Sequence, residues 1–147
     1  MGTSFVGIDE KGFWMRDGLL CMWLRLVAVQ IRCGANGDDP LTRLRNEWMY
    51  QSQIELNGLV SVDLETIAGN DVAEDELCDA IRRVMTCMRA LGAEISVETQ
   101  NLLGVHGWSV PVKTSRFIEI GEAFLDLIHG RITSTAHNTD FMPGCRP

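Results

Sequence analysis

"GLLCMWLRLVAVQI", Gly18 to Ile31, is the most apolar stretch of the chain, and one cation, Arg25, sits in its middle. How it is read decides the fold, because such a run suits a membrane helix, an export signal or a buried core helix. A membrane helix needs about 20 apolar residues to cross the hydrocarbon, whereas this run covers 13 positions from Leu19 to Ile31 and Arg25 interrupts it. An export signal places a basic leader before a shorter apolar run, and Lys11 and Arg16 supply two bases. Asp9, Glu10 and Asp17 offset them, however, and Arg32 before Cys33 departs from the small-residue pattern of a cleavage site. The stretch therefore reads as a core helix, with Asp17 as N-cap and its end before Gly34. Leu19, Leu20, Trp23, Leu24, Leu26, Val27 and Ile31 cover more than half its circumference, which places it centrally. Arg25 is tolerated if its stem lies on apolar neighbours and its head reaches the rim.

Working outward, Asp39-Pro40 has the form of an N-cap followed by a first helical residue. Leu41, Leu44 and Trp48 carry that helix toward a stop at Asn57-Gly58. Asp71-Val-Ala-Glu74 has capping-box form and opens a helix bearing Leu77, Ile81, Val84, Met85, Met88 and Leu91, closed by Gly92. "ISVETQNLLG" reads as a short helix capped by Ser96, with a strand and turn as the alternative. Gly107 and Pro111 exclude a regular helix from "VHGWSVPVK". Thr114 or Ser115 then caps "RFIEIGEAFLDLIHG", whose Phe117, Ile120, Phe124, Leu127 and Ile128 form an apolar stripe. The final 17 residues, 131–147, lack periodicity and form either a tail or an extended lid pinned by Ile132, Phe141 and Met142. The expected fold is mainly α, in one domain spanning 1–147. It is a bundle of four main helices plus one or two short ones, with room for a short hairpin near 105–113 and an irregular C-terminal tail.

Charge is distributed unevenly. The chain holds 20 acids and 13 Lys or Arg, a net of −7, and residues 46–81 hold nine of those acids with no Lys or Arg at all. The segments on either side each carry a net +1, so this block accounts for the imbalance. Such a field repels nucleic acid, whose phosphates need basic partners, and steers basic proteins inward. Part of the acid serves helix starts, where negative charge is favourable anyway; Asp63, Glu65 and Asp79 have no such duty. The five cysteines contain no C-x-x-C pair and mostly fall within apolar helical patterns. Free thiols that behave as small buried hydrophobes belong to a reducing compartment, so the chain reads as cytosolic.

Site chemistry is sparse. Asp126-Leu-Ile-His129 sets a carboxylate and an imidazole one turn apart, but a di-iron bundle needs two such elements and further inward glutamates. There is no G-x-S-x-G elbow, G-x-G-x-x-G or Walker loop. No metal, cofactor or catalytic set is therefore expected. His106-Gly-Trp108 is more suggestive, since a loop tryptophan outside any periodic stripe suits either a core cap or a binding anchor.

Two stretches, "FWMRDGLLCMWLRL" (Phe13 to Leu26) and "FIEIGEAFLDLIHGRI" (Phe117 to Ile132), resemble small helical bacterial proteins of the kind found among toxin-immunity proteins. The resemblance implies a cytosolic, non-catalytic protein that binds and blocks a partner. Together with the acidic block, it gives the leading expectation of an inhibitor of a basic, toxin-like protein, with no nucleic acid or membrane as partner. The expected contact residues are Asp63, Glu65, Asp71, Glu74, Asp75, Glu76 and Asp79, with His106 and Trp108 as anchors. The alternatives are an enzyme using His106, His129 or a cysteine between helices, and an oligomeric structural module.

Overall fold

The computed structural model describes residues 2–32, 38–54, 58–105 and 108–145. It overturns the all-helical bundle. The order is β1 (Thr3–Ile8), β2 (Lys11–Arg16), α1 (Asp17–Gln30), α2 (Pro40–Gln51), a 3-10 turn (Leu64–Thr66), α3 (Asp71–Leu91), β3 (Glu94–Ile95), α4 (Val97–Leu102), β4 (Val112–Lys113) and α5 (Thr114–Ile128). Helices pack with two small antiparallel sheets, β1–β2 and β3–β4, in a mixed α/β architecture.

The N-terminal hairpin was not expected, for two physical reasons. Its turn residues Asp9 and Glu10 both take positive φ, 50° and 67°, the conformation that tight hairpin turns require and that Asn-Gly or Asp-Gly usually signals. Here no such pair stands at the turn. Its two faces are also both covered, which blurs the alternation a half-buried strand displays. Ser4, Val6, Phe13 and Met15 face the core, in the register Ser4↔Met15 and Val6↔Phe13. On the other face Phe5 and Trp14 stack edge-to-face at 5.4 Å, and the Trp14 indole donates to the Ala136 carbonyl at 3.0 Å. Gly12 pairs with Gly7, and a Cβ on it would run into the Val6 carbonyl and the Gly7 Cα.

The hairpin leads directly into α1, which lies between α2 and α3, while α3 packs along α5. Arg16, in an extended conformation and without a side-chain cap, precedes α1, so Asp17 is the first helical residue rather than the N-cap. Its buried carboxylate accepts from the Ser4 hydroxyl at 2.6 Å and from the Gly58 amide at 2.6 Å, and the same hydroxyl accepts from Val60 N at 3.1 Å. One side chain thus ties strand, helix and the 58–60 segment together. Arg25 is half-buried, and its Nε donates to the Leu103 carbonyl at 2.8 Å. At Gly121 a Cβ would stand 2.6 Å from the Met85 sulfur and 3.2 Å from the Trp23 ring, so the bare backbone there lets α5 approach its neighbours.

Asp39 caps α2 with Pro40 as first residue, accepting from Thr42 N at 3.0 Å, but the helix ends at Gln51 rather than running to 57. The cap of α3 is Asn70, one residue before the expected Asp71. Asn70 accepts from Ala73 N at 3.1 Å while Glu74 reaches back to Gly69 N at 3.1 Å. In "ISVETQNLLG" the helix capped by Ser96 holds, over Val97–Leu102, while the strand-and-turn alternative does not: the strand is only Glu94–Ile95 and leads into the helix. The short hairpin near 105–113 is corrected too. Val112 and Lys113 pair with Ile95 and Glu94 across α4, and residues 106–107 lie outside the described set.

Residues 131–145 form no helix or extended strand, yet they strap the hairpin to α5. Gly12 N donates to the Ser134 carbonyl, and Ser134 Oγ returns a bond to the Gly12 carbonyl, both at 2.8 Å. Phe141 stacks edge-to-face on Phe13 at 6.0 Å, and Ile132 and Cys145 pack against the core. The Gly144 amide donates to Glu119 at 3.3 Å. No helix of the described residues is long and apolar enough to cross a membrane.

Candidate functional site

The acidic block divides between two kinds of surface. A left-handed Asp63 (φ 50°), a conformation that aspartate tolerates better than most residues, accepts from Ser61 Oγ at 2.6 Å and starts the 3-10 turn. Leu64 and Ile67 point inward from that turn and leave Asp63 and Glu65 exposed. The chain then passes Gly69-Asn70 into α3, whose inward stripe of Ala73, Leu77, Ala80, Ile81 and Val84 fixes the outward one. Asp71, Val72, Asp75 and Asp79 are exposed; Glu74 and Glu76 are half-buried at its flanks.

Of the seven carboxylates expected to form the contact surface, only Asp79 belongs to an ion pair among the described residues, with Arg82 at 3.3 Å. Both members are more than half exposed, so the pair contributes little. Asp71 and Glu74 lie in the first turn of α3, where the helix dipole stabilises them. Asp63, Glu65, Asp75, Glu76 and Asp79 lie outside that turn. The local field acts on the buried Cys78 thiol. Burial pushes its pKa up, Arg82 pulls it back, and Asp75, Glu74 and Asp79 add to the rise.

Two large apolar side chains on this segment were missed as contact candidates: Leu59 is 74% and Val72 75% exposed. The helical wheel could have found Val72, since at 100° per residue it stands about 80° or more from every buried position of α3. Trp108 is half-buried, packs against the core and lies on Gly18 at the start of α1. Its ring is thus partly committed to the fold. His106 lies outside the described residues.

A separate open groove of about 370 Å³ runs along α5, lined by Ser115, Ile118, Glu119, Glu122, Ala123, Asp126 and Phe141. Neither histidine nor cysteine lines it, so it does not assemble the His/Cys site of the enzyme alternative. Asp126 is held by Arg131 at 2.7 Å, and Arg131 also approaches the exposed His129 ring at 3.4 Å. Asp126 and His129 thus both lie against one arginine. Among the described residues no group of three or more His, Cys, Asp or Glu side chains is placed to hold a metal ion.

Compared with protein-family models, curated proteins and solved structures, the chain matches none. The likeness to immunity proteins thus rests on the two apolar stretches alone, while the class that the fold defines is a mixed α/β protein.

Proposed function

We propose that the chain is a cytosolic, non-catalytic binding protein of the immunity type, which blocks a basic, toxin-like protein through the surface from Leu59 to Asp79. One observation carries this reading. Six of the seven candidate carboxylates have no cationic partner among the described residues, and the same segment leaves Leu59 and Val72 exposed. Unpaired charge on a surface is repelled by its own kind and gains when a cationic face approaches, which raises the encounter rate. Exposed leucine and valine supply apolar contact area that charges alone do not. The free Cys21, Cys78, Cys87 and Cys145 support the cytosolic placement.

Affinity capture from the native host tests the reading, with the tagged chain compared against a variant in which Asp63, Glu65, Asp75 and Glu76 are reversed to Lys. The expected result is a basic protein retained by the parent chain at low salt and released as salt rises. Its association rate with the variant should fall by on the order of tenfold or more. An unchanged set of bound proteins, with unchanged salt dependence, would overturn the assignment of this surface.

A further inference from the structure

The exposed stripe of α3 carries a charge pattern of which the proposed function uses only the acidic half. Read along the helix, Asp71, Asp75 and Asp79 are followed by Arg82, Thr86 and Arg89, all exposed and within about a quarter-turn of one another at 100° per residue. Val72 and Ala90 are exposed beside the two ends of this stripe. The helix dipole favours acids at the first turn and bases at the last, but its influence fades within a turn. It therefore does not account for Asp75, Asp79 or Arg82 in the middle.

The pattern is self-complementary under reversal. Two copies of α3 laid antiparallel across a two-fold axis between Ala80 and Ile81 bring Asp79 opposite Arg82 of the second copy, and Val72 opposite Arg89 and beside Ala90. Asp75 then falls between Arg82 and Arg89, about one turn from each and within reach of a long side chain. Every contact occurs twice, as a closed isologous interface requires. We infer that the outer stripe of α3 is a self-association surface, whose occupant is the same stripe of a second copy of this chain. The seam is one helix wide and mostly polar, so it belongs with the small, transient interfaces and dissociates on dilution. Its charges are exposed, so salt screens them. Capture of a basic protein draws on the same acids and therefore competes with self-pairing. The self-pairing itself depends only on this chain and stands whether or not a toxin-like partner exists.

Sedimentation of the full chain over a range of concentrations tests the inference, using the parent, D75K/D79K, R82E/R89E and an equimolar mixture of the two variants. Circular dichroism confirms that each keeps its helix. At low salt the parent mass should climb toward twice the 16.4 kDa of one chain as concentration rises, and fall back in about 1 M salt. Each variant alone faces like charge with like, and its dimerisation constant should weaken at least tenfold. In the mixture, lysines of one variant meet glutamates of the other, and the dimer should return. A parent that stays monomeric throughout, variants that still pair, or a mixture that stays monomeric would each overturn the inference. R82E/R89E also separates the two proposals, because it removes self-pairing without touching the acids that a basic partner needs.

Discussion

Asp17 and the carboxylates of residues 63–79 are the same chemical group in opposite settings. Asp17 is 4% exposed and accepts two bonds of 2.6 Å that join three segments of the chain. It stands in the first turn of α1, where the helix dipole favours negative charge. Asp63, Glu65, Asp71 and Asp75 are exposed, and none pairs with a cation among the described residues. The first acid is fixed by the fold; the others are left by it. A charge that contributes little to folding is free to contribute to association.

The largest expected effect tests the buried side of that contrast. In D17A the buried Ser4 hydroxyl and the Gly58 amide lose their acceptor, and bonds to a charged group are at the strong end of the range. The loss should be about 3 kcal/mol, read as a lower midpoint in urea unfolding with an unchanged slope. Applied to E65K/D75K, two exposed positions with ordinary backbone, the same measurement should move stability by no more than about 0.5 kcal/mol. Equal losses at both places would dissolve the distinction.

Asp17 also marks where the sequence was legible and where it was not. Seven apolar residues spaced along Leu19–Ile31 reveal a helix because a helix repeats its inward face every third or fourth position. The same logic places α3 and α5 by their stripes. A two-sided hairpin leaves no such repeat. With Trp14 covered by the strap and Phe5 stacked upon it, apolar residues occupy both faces, and the turn residues Asp9 and Glu10 do not announce their positive φ. Asp17 looked like a cap because its true partners, Ser4 and Gly58, lie 13 and 41 residues away. Pairing across such distances is not a property of any local window. The acidic candidates were legible as a block lacking bases. Of the exposed apolar residues, Val72 was within reach of the α3 helical wheel, whereas Leu59 was not, because it lies outside any periodic stripe and its residue type does not say which way it faces.

A smaller effect sharpens the contrast within α3 itself. Asn70 accepts from Ala73 N and orients the first turn of the acidic helix without carrying charge. N70A should cost about 1 kcal/mol. If the acids act on association rather than on folding, N70A should reduce stability while leaving the salt dependence of partner binding in place. D75K/D79K should do the reverse.

The smallest effect concerns Asp39, an acid between the two extremes: solvent-facing, yet committed to its own helix. The Thr42 hydroxyl, at 2.5 Å, is the main cause that holds its carboxyl below the ordinary aspartate range, and the Thr42 amide adds to it. A folded-state pKa below the unfolded one means that the charged form is favoured by folding. The contribution to α2 is therefore complete above the unfolded value, about 3.9, and is lost as pH falls through the lowered folded value. Carbon-detected NMR titration should find the Asp39 midpoint below the ordinary range, and T42V should raise it by removing the hydroxyl. Asp63 provides the comparison, since its own hydroxyl contact comes from Ser61 in the exposed segment before the 3-10 turn rather than from a helix it caps. In S61A unfolding stability should stay within about 0.5 kcal/mol at every pH where the chain is folded. If S61A removed acid-sensitive stability as T42V does, the carboxylates of the exposed face would be structural after all, and their availability to a partner would be lost with that distinction.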